Sequence, residues 1–223
     1  MAKSLVEAAV NGPAGSNRAL FFRGDQFVAY DWVQDRAILG AKSISDDWGL
    51  PNTFQPPGFA PRFDAAVGGR EGGGAAHLQH LYFFHGPEYT RHDWTTPTPR
   101  PFEFVDALTG WKLSGPFADG AEAAFNGKGT RAGKTYFFKG GNYARYSWAD
   151  DALDYVRQIG LIAPGTMPAD FATGVDAAVD GDGAYANYGY LFKGRYGIGC
   201  QAPERCARQC APRPCFGTGG DLA

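Results

Sequence analysis

Four histidines, His77, His80, His85 and His92, crowd into one short stretch. Neutral imidazole ligates transition metals and haem iron, so the cluster raises a metal or haem site first. The neighbours favour solvated or structural roles. His77 and His80 lie in a Gly-Ala-rich linker, His85 takes a turn position filled elsewhere by Arg23 and Lys139, and His92 sits beside Asp93 on an alternating strand. If haem binds, His77 or His80 is the expected axial ligand. Gly129-Thr130-Arg131-Ala132-Gly133-Lys134-Thr135 matches a phosphate-binding loop only in part. Lys128 stands where that loop needs glycine, and Tyr136-Phe137-Phe138 reads as a strand where it needs a helix. Asp180-Gly181-Asp182-Gly183 has the first acids of a calcium loop without the later ones and reads as a hairpin turn. Cys200, Cys206, Cys210 and Cys215 lack the paired Cys-x2-Cys spacing of common zinc modules. No nucleophile elbow, zincin helix or dinucleotide fingerprint occurs, so nothing argues for an enzyme.

The stronger signal is internal repetition. Val6-Glu7-Ala8-Ala9-Val10 recurs as Phe63-Asp64-Ala65-Ala66-Val67, Ala121-Glu122-Ala123-Ala124-Phe125 and Val175-Asp176-Ala177-Ala178-Val179. Each is followed by a second motif: Leu20-Phe21-Phe22-Arg23-Gly24, Tyr82-Phe83-Phe84-His85-Gly86, Tyr136-Phe137-Phe138-Lys139-Gly140 and Tyr190-Leu191-Phe192-Lys193-Gly194. In three copies an alternating segment then ends at Trp32, Trp94 or Trp148. Each unit reads as a small inner strand, a hydrophobic second strand, a tight glycine turn and an alternating third strand. Outer stretches such as 44–51 and 104–111 read as a strand edge passing into a short helix. Trp48 and Trp111 share that outer position, and all five tryptophans are expected to pack.

Ala-Ala pairs let several strands crowd around one axis, while aromatics fill the wider space between sheets. The 32 glycines, about twice the usual share, and 15% aromatic content suit short strands with tight turns. A net charge of −2 gives no field for concentrating nucleic acid or an anionic membrane, so neither is an expected partner. The first residues hold no apolar run long enough for a signal peptide or a span, and all cysteines lie at or beyond position 200. A cytoplasmic, reducing location is expected.

The repeated residues resemble the hemopexin-repeat family, whose units carry an Asp-Ala-Ala inner strand, a Tyr-Phe-Phe-Lys-Gly strand and an alternating aromatic-Arg-Tyr strand. The likeness runs from residue 5 to about 199 and implies an all-β, four-bladed hemopexin-type β-propeller. The blades would span 4–58, 59–117, 118–171 and 172–199. In character the chain is most similar to albumin-2-type plant seed albumins, which bind hemin and spermine in monomeric and dimeric forms, so a homodimer is allowed. Blade one has no cysteine, so the disulfide that joins first and last blades in secreted relatives cannot form.

In the family, backbone carbonyls of the inner strands hold calcium or sodium in a central tunnel. Carried over, one carbonyl ring comes from Glu7, Asp64, Glu122 and Asp176, and a second from Ala9, Ala66, Ala124 and Ala178. Hard cations take oxygen ligands, so Glu in place of Asp leaves such a site intact. The alternative is an inner strand without an ion. The expected function is a non-enzymatic binding protein whose tunnel takes a cation or a polyamine such as spermine, with the four acidic side chains at its mouth and hemin as a second ligand. A protein-interaction module or a lectin-like glycan binder is the alternative.

The fourth copy follows the pattern to Tyr196 and then departs from it. Residues 200–223 are rich in Cys, Arg, Pro and Gly, and a tail of altered reading frame or splice choice explains them better than a metal site does. The fourth blade is therefore expected to be incomplete, lacking its outer part.

Overall fold

Each copy of the repeat folds as one antiparallel sheet. The computed structural model describes residues 4–44, 62–69, 75–93, 105–106, 110–201 and 205–207. The first sheet runs β1 (Ala8–Asn11), β2 (Arg18–Arg23), β3 (Gln26–Asp31) and β4 (Arg36–Ser43). The second runs β5 (Ala65–Gly68), β6 (His80–His85), β7 (Glu88–Asp93) and β8 (Val105–Asp106). The third runs β9 (Ala123–Asn126), β10 (Lys134–Lys139), β11 (Asn142–Ser147) and β12 (Ala152–Gln158). The fourth runs β13 (Ala177–Asp180), β14 (Tyr188–Lys193), β15 (Tyr196–Gln201) and β16 (Arg205–Ala207). Strands are ordered in space as in the chain, so every sheet is a simple meander.

The inner strands are short and small because both their faces are covered. Ala8 and Val10 point into a core shared with the second sheet, whereas Ala9 points into one shared with the fourth. The alternation repeats: Ala66 meets the first sheet and Ala65 the third, Ala124 the second and Ala123 the fourth, Ala178 the third and Ala177 the first. Four cores therefore link the sheets in a cycle that returns from the fourth to the first. Phe22, Phe84 and Phe138 fill these cores with exposures of 1% or less. Burying a side chain of that size contributes about 1.5–3 kcal/mol relative to leaving it in water.

The described tryptophans pack as expected. Trp32, Trp111 and Trp148 are all buried, and Trp111 stands edge-on to Tyr82 and Phe137 between the second and third sheets. Trp48, Trp94 and most of the stretches 44–51 and 104–111 lie outside the described residues.

The fourth sheet corrects the expectation of an incomplete unit. β15 pairs with β14 over six positions from Tyr196 to Gln201, and β16 pairs in turn with β15. Gly197 and Gly199 erase the alternation that marks this strand in the other copies, but hydrogen bonding to a formed neighbour decides strand formation more strongly than side-chain propensity does. Cys200 in β15 is disulfide-bonded and stands opposite Cys206 in the ladder.

Candidate functional site

The inner strands β1, β5, β9 and β13 form the candidate site. Each touches its two cyclic neighbours, and the diagonal pairs β1/β9 and β5/β13 also have Cα atoms within 8 Å. Each inner strand is hydrogen-bonded on one edge to the second strand of its own sheet. The other edge is left for the axis, and on a strand that edge carries alternate N–H and C=O groups. Oxygen is therefore available there without any particular side chain.

The residues before these strands are locally irregular in the same way. The amide of Glu7 donates to the Phe22 carbonyl at 2.9 Å although Phe22 pairs with Ala8, so two residues face one, as in a β-bulge. Asp64, Glu122 and Asp176 donate to Phe84, Phe138 and Phe192 at 2.8–2.9 Å in the same manner.

One oxygen of each of their carboxylates is taken by a hairpin of the same sheet. Glu7 Oε2 accepts from Gly24 N at 2.7 Å, Asp64 Oδ2 from Gly86 N at 2.8 Å, Glu122 Oε2 from Gly140 N at 2.8 Å and Asp176 Oδ2 from Gly194 N at 2.6 Å. Each glycine opens a two-residue hairpin turn with φ between +51° and +58°, a region costly for residues with a Cβ. Each acid thus clasps the turn of its own sheet through one oxygen. Glu and Asp both reach, which explains why either occurs.

The opposite end of the inner strands holds a polar ring that sequence reasoning missed. Asn11, Gly68, Asn126 and Asp180 all lie four residues after the acid of their copy, and that recurrence was the available signal. Asn11 Nδ2 donates to the Asp180 carbonyl at 2.6 Å, and Asn126 Nδ2 donates to the Gly68 carbonyl at 2.7 Å. Asp180 is 4% exposed, and its carboxylate lies 3.3 Å from Lys128 Nζ and 3.4 Å from the Asn126 amide. Lys128 also reaches Asp182 at 3.2 Å and bonds the Gly181 carbonyl. The two acids singled out in the sequence as a turn therefore hold a lysine between the third and fourth sheets.

His77 and His80 sit at the start of the second strand of sheet two, away from the axial acids. His77 Nδ1 shares a hydrogen bond of 2.6 Å with Tyr82 Oη, and its ring lies 5.5 Å from Trp148. His80 Nε2 is 4.0 Å from Asp93, and its Nδ1 is buried without a hydrogen-bond partner. Burial, reinforced by Arg91, lowers the His80 pKa, and burial does the same for His92. Among the described residues, no three His, Cys, Asp or Glu side chains converge as a metal site. Gly129–Arg131 forms a 3-10 turn leading into β10, so no helix follows the loop that partly matches a phosphate-binding motif.

The four meander sheets around one cluster of small strands define an all-β repeat protein. No protein-family model and no curated protein sequence matches the chain. Among solved structures, the hemopexin fold protein CP4 from cow pea superposes with a TM-score of 0.72 at 18% identity, covering 96% of this chain and 97% of its own. A plant albumin from Cicer arietinum showing hemagglutination gives 0.74 at 18% identity, covering 99% and 100%. A plant lectin with two metal binding sites, also from Cicer arietinum, gives 0.71 at 19% identity, covering 95% and 96%. The chain has the hemopexin fold, in the form found in plant seed albumins.

Proposed function

We propose that this chain is a non-enzymatic binding protein built as a four-bladed propeller, with an inorganic cation, calcium or sodium, held at its axis. The observation that carries the reading is the meeting of four inner strands by their edges, with opposite Cα atoms within 8 Å. Carbonyls of Glu7, Asp64, Glu122 and Asp176, with those of Ala9, Ala66, Ala124 and Ala178, are the proposed ligands. The donor set fits a hard cation because it is all oxygen and needs no side chain, the acids being occupied at the hairpins. A polyamine such as spermine, threading the same axis, would meet carbonyls rather than carboxylates. Hemin remains a second ligand, with His77 and His80 as axial candidates.

Calorimetric titration of the chelator-treated protein with calcium chloride and with spermine, alongside absorbance titration with hemin, tests these ligands. A ligand that binds the folded state at one hundred times its Kd adds about 2.7 kcal/mol of stability. Heat of binding with a matching rise in Tm is expected for calcium. Silence with all three ligands overturns the small-ligand reading. The hemagglutination of the Cicer albumin favours a lectin-like second reading, which binding on a glycan array would support.

A further inference from the structure

Between the third and fourth sheets lies a cleft of about 400 Å³, within the range of small-molecule sites. Its origin is legible by comparing copies. Trp32, six residues after Gln26, leaves the first sheet to pack against Tyr185 and Tyr190 of the fourth, at 5.9 and 5.8 Å between ring centres. Trp148, six residues after Asn142, packs at the equivalent place against His77 and Tyr82 of the second sheet, at 5.5 and 5.9 Å. Each tryptophan thus reaches back to the preceding sheet and meets the 3-10 turn and the third residue of its second strand. In the fourth copy the matching sequence position is Ala202, and the matching partners on the third sheet are Arg131 and Tyr136. Both line the cleft. The fifth residue of the strand, Tyr30 or Tyr146 elsewhere, is Cys200 here, and it lines the cleft too.

The polar end of the socket is also recognisable. Trp32 Nε1 donates to Asn11 Oδ1 at 2.8 Å. Trp148 Nε1 donates to Thr135 Oγ1 at 2.8 Å, and Thr135 donates on to Asn126 Oδ1 at 2.6 Å. The corresponding residue in the fourth copy is Asp180, which lines the cleft. Gly189 replaces Ala19, Leu81 and Thr135, so nothing beyond backbone stands at that position. Phe125, where the other copies have valine, stacks on Tyr136 at 5.2 Å and packs against Gly189, providing an aromatic floor.

We propose that this cleft is a vacated tryptophan socket that binds a planar aromatic ligand of the indole class, carrying a ring N–H. The ring lies on Phe125 and Tyr136, the N–H donates to the Asp180 carboxylate, and the Arg131 guanidinium takes the place beside the ring that Tyr185, tilted, and His77, edge-on, hold in the complete sockets. A guanidinium suits that place because it stacks on aromatic faces. The site shares Asp180 with the polar ring at the end of the inner strands but uses none of the carbonyls proposed to hold an ion.

Indole and 1-methylindole, titrated into the whole protein and followed by amide chemical shifts, provide the test. Shifts confined to residues 125–136, 162–163, 180 and 186–200 are expected, with 1-methylindole about tenfold weaker because it lacks the donor. Ala202→Trp is expected to abolish indole binding and raise Tm. Gly189→Thr, which restores the third copy's residue, should weaken binding and serves if the first variant folds poorly. Absence of shifts there at saturating indole, or equal binding of the two probes, would overturn the proposal.

Discussion

At Gly24, Gly86, Gly140 and Gly194 a positive φ coincides with a carboxylate acceptor reaching from the start of the same sheet. Two substitutions separate the contributions. Gly140→Ala keeps the acceptor but forces a Cβ into the left-handed region, a cost of about 1–2 kcal/mol. Asp176→Ala keeps the turn but strands the Gly194 amide, a loss of about 1–3 kcal/mol. Both should lower the urea midpoint with an unchanged m-value. His80 gives a pH dependence of definite sign. Burial holds its native pKa below the unfolded value of about 6.5, so the unfolded chain binds the extra proton. Its contribution is complete above that value and is lost as pH falls through it toward the native pKa. Arg91 and His77 oppose the charge and Asp93 favours it. Urea midpoints measured from pH 7.5 to 5 should fall, and less steeply in His80→Gln. The acid of each copy was readable from sequence, but its hairpin clasp was not, because that depends on where the glycine amide of the following turn comes to lie.

Elements that repeat were legible, and the one that departs from the repeat was not. β2, β6, β10 and β14 announce themselves by runs of apolar residues ending at a glycine turn. β16 reads Arg205-Cys206-Ala207, with nothing of strand character, and forms because β15 offers it an open ladder edge. The disulfide at Cys200 belongs to this sheet. Adding a reductant should lower Tm, and Cys200→Ser should remove that sensitivity, as differential scanning fluorimetry would record. Survival of the bond in protein alkylated without reduction would place the chain in an oxidising setting and count against the cytoplasmic expectation.

Closure of the whole molecule depends on contacts between residues nearly a chain length apart, which no local pattern encodes. Leu5 N donates to Gly194 O at 3.0 Å, and the core containing Val6, Trp32, Val179 and Tyr190 joins the first sheet to the fourth. Four copies of one motif made a cyclic arrangement the expectation, yet the amide bridges of Asn11 and Asn126 appear only when the copies are assembled. Asn126→Leu removes the partner of the Gly68 carbonyl and of Thr135 together. It should cost about 2–4 kcal/mol in chemical denaturation, since two buried polar groups lose their bonds.

Those bridges are not distributed evenly. Asn11 and Trp32 tie sheet one to sheet four, and Asn126 and Trp148 connect sheet three to sheet two. Among the described residues, these bridges join the sheets in two pairs, four with one and two with three. The seam between sheets three and four adds to its apolar core an ionic contact, Lys128 gripped by Asp180 and Asp182. Attraction between partly solvated charges weakens as ionic strength rises. Concentrated sodium chloride should therefore loosen that seam first, and native-state hydrogen exchange should register it as faster deuterium uptake at Gly181 than at Gly12 on the neighbouring seam between sheets four and one.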